Sequence, residues 1–353
     1  MEPQSTIRIV VDAMGGDHAP AHEVQGAVES LRDSQNRFEV ILVGKEEVVR
    51  SELAKHKADG LRYSIVNATE VITMSDSPTA AVKQKRDSSL ALGMRMHQEG
   101  KAEAVVSAGN TGAVLSASTL ILGRVRGVSR PTIGTFFPSE RGVCLLVDAG
   151  TNVDCRPRHL LEFGVMGSIY FSKMYRKERP TVALLNVGEE KTKGNELVLE
   201  ARKLFEASSL NFIGNVEGRD ILKAKADVVV CDGFAGNIVL KFGESVPAFL
   251  KYRLRQVAER SIIKKILVGM ARSTLKAALS DMDPNEHGGV PVLGVNGVCI
   301  IGHGSASPQG IKNMILKAAE IATIQLNRHI EQALANVPAA PPAASTPVME
   351  HSR

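Results

Sequence analysis

The chain is predicted to be an α/β protein: a doubly wound, mostly parallel sheet with helices on both faces (an α/β/α sandwich) and a protruding helical segment. Three observations carry this. Short apolar runs of strand character recur along the sequence, and most give way to a loop of Gly, Asn, Ser, Thr or Asp and then to a helical stretch. That alternation is the pattern of a parallel sheet covered on both faces. Between Glu244 and Met282 the rhythm breaks into helix alone, which marks the protruding segment.

Taken in order, Ile7–Val11 is the first strand, followed by Asp12-Ala13-Met14-Gly15-Gly16-Asp17-His18-Ala19-Pro20. Paired glycines let the backbone turn tightly and approach a ligand, and Pro20 fits a first helical turn. Ala21–Arg32 reads as a helix, Phe38–Val43 as a buried strand, Lys45–His56 as a helix and Tyr63–Val66 as a strand. A long connection holds Met74–Pro78 and the basic Lys83, Lys85 and Arg86, and Asp87 or Ser88 caps a helix toward His97. The strand-loop-helix unit then repeats: Ala104–Val106 into Ser107-Ala108-Gly109-Asn110-Thr111-Gly112, Val143–Val147 into Asp148–Asn152, and Val182–Leu185 into Asn186–Gly194. It continues with Val228–Cys231 into Asp232–Asn237 and Val298–Ile301 into Gly302–Ser307, before a last helix from about Gln309 to Ala335. All these loops are expected at one edge, outside the carboxyl ends of the strands, where such sheets bind ligands. Residues 1–335 form a single catalytic domain in this reading, with 244–282 as its basic amphipathic extension. Residues 336–353, rich in Ala, Pro and Ser without periodicity, are expected to be disordered.

The composition narrows the function. With no Trp and four Tyr the chain lacks the stacking platforms of a nucleic-acid binder, and its net charge of +5 is mild for 353 residues. Cys144, Cys155, Cys231 and Cys299 show no metal-binding or disulfide spacing, no apolar signal region precedes Ile7, and no apolar run spans a bilayer. A cytoplasmic setting is expected. The nucleotide P-loop, a complete dinucleotide fingerprint, the serine-hydrolase elbow and the zinc-protease pair are all missing. What remains is a rim of glycine amides, Asn and Ser/Thr side chains, with Lys193, Lys241, His18 and His303 as cations or proton donors. That is an anion site suited to phosphate.

The segments Asp12–Asp17, Ser107–Gly112, Asp148–Asn152, Cys231–Asn237 and Gly294-Val295-Asn296-Gly297 through Gly302-His303-Gly304 resemble those of the bacterial phosphate acyltransferase family, in order from about Ile7 to about Ala335. Val290 stands where the resemblance implies a smaller Ala. The resemblance implies an enzyme that moves a fatty acyl group from acyl-carrier-protein thioester to inorganic phosphate, giving acyl phosphate for phospholipid synthesis. It further implies a homodimer bound peripherally to the membrane, whose product passes to a membrane acyltransferase for glycerol phosphate. No cofactor and no metal are expected.

The residues agree with that chemistry. Phosphate near neutral pH is already a nucleophile, so the protein must hold a dianion against a thioester carbonyl and stabilise the oxyanion that forms. Amides near Gly15–Gly16, Asn110–Gly112 and Gly236–Asn237 are the expected phosphate cradle, with Lys193 or Lys241 neutralising charge. Asn237 joins the catalytic set. His303 orients phosphate or protonates the leaving thiolate, with His18 its rival; a structural hydrogen bond in a turn is the competing reading of each. Asp12, Asp148 and Asp232 belong to the binding rim and fix loop geometry or a Lys, or form a metal triad, for which the resemblance offers no reason; Asp17, Ser107, Thr111, Asn152, Asn296 and Gly304 complete the rim. Cys231 as an acyl acceptor is a further option.

From Lys251 to Lys276 eight basic residues face the single acidic Glu259, a net +7 that exceeds the charge of the whole chain. Ile262, Ile263, Ile266, Leu267 and Met270 make an apolar stripe beside them. A solvated helix face, a lipid contact, a dimer interface and a dock for the acidic carrier protein all fit. The resemblance favours lipid for the Ile262–Met270 tip and dimer packing for the helix before it. The alternatives for the whole chain are a phosphate acetyl- or butyryltransferase using a CoA thioester, a metal-dependent hydroxyacid dehydrogenase on a related sheet, and a non-catalytic anion-sensing scaffold.

Overall fold

In the computed structural model, residues 6–278, 282, 285–286 and 288–335 are described. The tail after Ala335 and residues 279–281 of the protruding segment lie outside them. One sheet of eleven strands runs through the described residues: β1 (Arg8–Asp12), β2 (Glu39–Gly44), β3 (Tyr63–Asn67), β4 (Ala104–Ser107), β5 (Thr132–Ser139), β6 (Gly142–Val147), β7 (Thr181–Leu185), β8 (Asn211–Val216), β9 (Val228–Val230), β10 (Val290–Leu293) and β11 (Cys299–Ile301). Their order is β3-β2-β1-β4-β11-β10-β5-β6-β9-β7-β8. The helices are α1 (Ala21–Asp33), α2 (Glu46–Leu53), α3 (Pro78–Gln84), α4 (Ser89–Gln98), α5 (Thr111–Ala117), α6 (Pro157–Tyr175), α7 (Glu196–Glu206), α8 (Gly233–Ala258), α9 (Ile262–Met270), α10 (Arg272–Ala278), α11 (Pro308–Thr323) and α12 (Leu326–Ala335).

Strand side chains alternate between faces, so each strand feeds two cores. Ile9 and Val11 of β1 and Val106 of β4 join Val24 and Ala27 of α1 and Ile311 and Met314 of α11 in one buried cluster. Val10 and Val105, pointing the other way, join Met94 of α4 and Ala113, Val114 and Ala117 of α5. In the other half, α6 and α7 cover one face through Leu160, Phe163 and Phe205, and α8 covers the opposite face through Ala235, Val239 and Leu240.

The topology corrects the expectation of a single rim. β1, β2, β3, β4 and β11 run parallel, and so do β6, β9, β7 and β8. Between them, β10 is antiparallel to both β11 and β5, and β5 is antiparallel to β6. The two parallel blocks therefore run in opposite senses along the ladder, and the loops fall into two groups, one per block. Three strands are additions to the sequence reading: β5, β8 and β10. The last helix is two, α11 and α12, broken at Gln325, whose φ is 50°. The helix of the protruding segment begins at Gly233, and a turn separates it from α9 where the Arg260-Ser261 break was expected.

Candidate active site

In the first block, β1 leads to α1 on one face and β4 leads to α5 on the other. Adjacent loops leaving to opposite faces open a crevice at the strand ends. Asp12 sits at its floor, 3% exposed, where Oδ2 accepts the Ser107 hydroxyl at 2.7 Å and Oδ1 the Met14 amide at 3.3 Å. Burial pushes the Asp12 carboxyl up from its ordinary range, against the hydrogen bonds from Ser89 and Ser107. A Cβ at Gly15 would stand 2.6 Å from Asp12 Oδ2 and 2.9 Å from Ser107 Oγ, so this turn admits only glycine. The Asp17 amide donates to the Gly304 carbonyl at 2.8 Å, which ties the loops after β1 and β11 together.

Several predicted residues of this block have their side chains committed. Asn110 caps α5 by accepting from the Ala113 amide at 3.1 Å, and its Nδ2 donates to the carbonyls of Thr73, Met74 and Asp76 at 3.2–3.3 Å. Thr111 is exposed, and Gly112 lies against Pro78. His303 Nδ1 accepts from the Ser305 amide at 3.2 Å and lies 2.8 Å from Ser305 Oγ, the turn-holding bond of the competing reading. The neutral ring then carries its proton on Nε2. His18 is exposed, its ring centroid 4.5 Å from that of His22, and His22 Nδ1 meets the Ala306 carbonyl at 2.8 Å.

Sequence reasoning missed Glu23. It lies in the first turn of α1, buried, with Oε1 where a Cβ on Gly16 would clash and Oε2 without a hydrogen-bond partner. Burial first, then the nearby Asp12 and Asp17 carboxylates, push it up to about 7. Its one sequence signal was an acid in the turn that follows the glycine loop.

In the second block, Asp148 builds the loop after β6. Its Oδ1 accepts from the amides of Gly150 and Thr151 at 3.0 and 2.9 Å, and its Oδ2 from the Asn152 amide and Nδ2 at 2.7 and 2.8 Å. The remaining hydrogen of Asn152 Nδ2 goes to Pro131 O at 2.8 Å, so this buried side chain is structural. A side chain at Gly236 would collide with the Asp148 carbonyl, and a Cβ at Gly150 would meet Asn237 Cβ at 3.2 Å. That packing brings the start of α8 onto the Asp148 loop. Asp232 caps α8 through the Ala235 amide at 2.9 Å. Asn186 Nδ2 holds the next loop by donating to Lys193 O at 2.9 Å and Gly188 O at 3.2 Å. Lys193 and Asn237 are exposed, and Lys241 is paired with Glu244 at 2.8 Å. Burial pushes the Cys231 thiol well above its ordinary value, which disfavours the thiolate an acyl acceptor needs.

Asn296 does not join either group. Its amide donates to Gly123 O at 3.0 Å in the connection from β10 to β11. Because Val298 O accepts from the Val105 amide, that connection lies at the amino end of β4, away from Asp12. The correction follows from β10 running backwards.

The two groups share one apolar cluster: Ala149, next to Asp148, belongs with Ala113 and Val114 of α5. Among the described residues no group of three His, Cys, Asp or Glu side chains is placed to hold a metal. No described helix is long and apolar enough to cross a membrane. α9 buries none of its residues, and Ile262, Ile263, Ile266, Leu267 and Met270 are 58–79% exposed.

The model of the family described as "Fatty acid synthesis protein" matches residues 7–329. A phosphate acyltransferase of Chlorobaculum parvum is 46% identical over 333 residues, covering 92% of this chain and 98% of its own. One of Pelotomaculum thermopropionicum is 45% identical over 331 residues, covering 94% and 96%. Among solved structures, a phosphotransacetylase from Streptococcus pyogenes shares the fold, with a TM-score of 0.59 at 17% identity over 92% of this chain and 94% of that one. With a match running from β1 to α12 and relatives this similar over nearly their full length, the chain belongs to the fatty acid synthesis protein family and is an enzyme that transfers an acyl group to phosphate.

Proposed function

We propose that the acyl donor is the thioester of an acidic acyl-carrier protein and that residues 1–335 act as one catalytic unit with 244–282 as its docking extension. The observation that carries this is the course of α8. It starts at the Asp148 loop, with Asn237 in its first turns, and runs out into the exposed segment whose stretch from Lys251 to Lys276 has a net charge of +7. An acidic partner drawn to that charge is delivered to the helix whose other end lies at the site.

Inorganic phosphate rests on backbone amides near Gly15–Gly16, Asn110–Gly112 and Gly236–Asn237, with Lys193 and Asn237 as the side chains that meet it. A sheet turns by roughly 20–25° per strand, so over the five steps from β4 to β9 the direction swings by roughly 100–125°. In this reading that twist brings the reversed second block's carboxyl ends toward those of the first. A phosphate oxygen attacks the thioester carbonyl, the carbon–sulfur bond breaks, and the phosphate hydroxyl proton ends on sulfur. His303, through Nε2, is the side chain for that transfer, with His18 beside Gly304's partner loop as its rival. Lys241, held by Glu244, is the weaker of the two cations.

The exposed apolar stripe of α9 fits a lipid surface, and the exposed Phe242, Phe249 and Tyr252 of α8 fit the partner subunit of a homodimer. Such a protein sits in the cytoplasm against the membrane and passes a reactive acyl phosphate to a glycerol-phosphate acyltransferase there. The test of the roles is alanine at Lys193, His303 and His18, with acyl-phosphate formation measured at saturating phosphate. A proton-transfer group is worth roughly 10²–10⁴ in turnover; near-normal turnover for both histidine variants removes the proton role from both.

A further inference from the structure

We infer that the crevice between the carboxyl ends of β7 and β9 seats the acyl chain of the donor and sets the chain length this enzyme prefers. The inference rests on the thioester reading above. The crevice exists because β7 and β9 are neighbours whose connections leave to opposite faces: β7 to α7, and β9 to α8. Such a switch point parts the two loops and leaves a hollow at the strand ends. Here it measures about 450 Å³, within the size of small-molecule sites.

Its apolar lining comes from five elements: Leu185 and Cys231 at the ends of β7 and β9, Leu160 of α6, Val198 of α7 and Ala235 of α8, with the exposed Val187 at the mouth. Part of the polar lining is committed elsewhere. Asn186 Nδ2 is taken by the carbonyls of Gly188 and Lys193, Asn195 Oδ1 by the Val198 amide, and one Asp232 oxygen by the Ala235 amide. That leaves fewer hydrogen-bonding groups for an occupant that needs them. A saturated chain asks for none. The same mouth carries the Lys193 loop and the start of α8, so a chain seated here presents its carbonyl where the phosphate cradle is proposed.

Burying one methylene is worth roughly a fourfold gain in binding. kcat/KM with carrier-protein thioesters of increasing chain length should therefore climb by about that factor per methylene and level off once the hollow is full. The experiment compares the parent with Val198→Phe, Ala235→Leu and Val198→Ala across short, medium and long donors, using hydroxylamine to trap acyl phosphate. The two filling variants, on different helices, should lower the long-to-short ratio of kcat/KM at least tenfold and move the plateau to shorter chains. Val198→Ala should move it to longer ones. If the parent turns over carrier-bound donors but the ratio stays put, or all chain lengths fall together, the crevice is not the acyl seat. If the parent forms no acyl phosphate from any carrier thioester, the donor reading itself fails and the inference goes with it.

Discussion

The Ser107 hydroxyl donates to Asp12 Oδ2 at 2.7 Å, locking β1 to β4 at the point where their chains part to opposite faces. The carboxyl is buried, so whatever leaves it unsatisfied is expensive. Ser107→Ala should destabilise the fold by about 1–3 kcal/mol, read from the urea midpoint at constant slope. Because the two side chains share one bond, the loss from Ser107→Ala and Asp12→Asn combined should be smaller than the sum of the single losses. Full additivity would mean that the bond does not hold the crevice together.

Glu23 makes stability depend on pH. Its carboxyl rises from an ordinary 4.5 in the unfolded chain to about 7 in the fold. Between those values the folded chain holds the extra proton, so stability falls as pH rises through the window, and the loss is complete above it. The shift corresponds to about 3 kcal/mol at most. Glu23→Gln removes the ionisation, so relative to the parent it should gain up to about that much stability on going from pH 4 to pH 8. A difference between variant and parent that is the same at both pH values contradicts the burial of a titrating acid beneath Gly16.

The tip of the protruding segment offers a separate check. In Ile263→Glu, Leu267→Glu the apolar stripe of α9 gains two charges while no buried side chain is touched. Co-sedimentation with vesicles of anionic lipid should be lost in this variant, with its thermal midpoint close to the parent's. Unchanged sedimentation removes the tip from the membrane account.

Local features of this fold could be read from the sequence because they are set by neighbours along the chain. α1 runs Ala21–Asp33 where Ala21–Arg32 was expected, and Ser88 caps α4 through the Ala91 amide. The turn between α8 and α9 also falls where expected. Non-local features could not. β5 carries Gly134 and Pro138, and β10 has Pro291 in its four residues, so neither shows a clean strand pattern. The reversal of direction between the blocks depends on how these strands pair with partners far away in sequence. The same holds at the site. That Asp12 and Asp148 bind the loop backbones is a matter of tertiary contacts, and so is the burial of Glu23 beside them. Asn110 and Asn152 look like free polar groups in the sequence, but only the fold shows that their hydrogen bonds are used internally. The break at Gln325 has no glycine to announce it.

The most direct test of the central claim offers the purified enzyme an acyl-carrier-protein thioester and, separately, the matching CoA thioester, with and without inorganic phosphate, and traps acyl phosphate as the hydroxamate. The account predicts phosphate-dependent hydroxamate from the carrier-bound donor, with a higher kcat/KM than from CoA and a preference that shrinks as salt screens the basic segment. Hydroxamate from CoA alone, or none that requires phosphate, would contradict it.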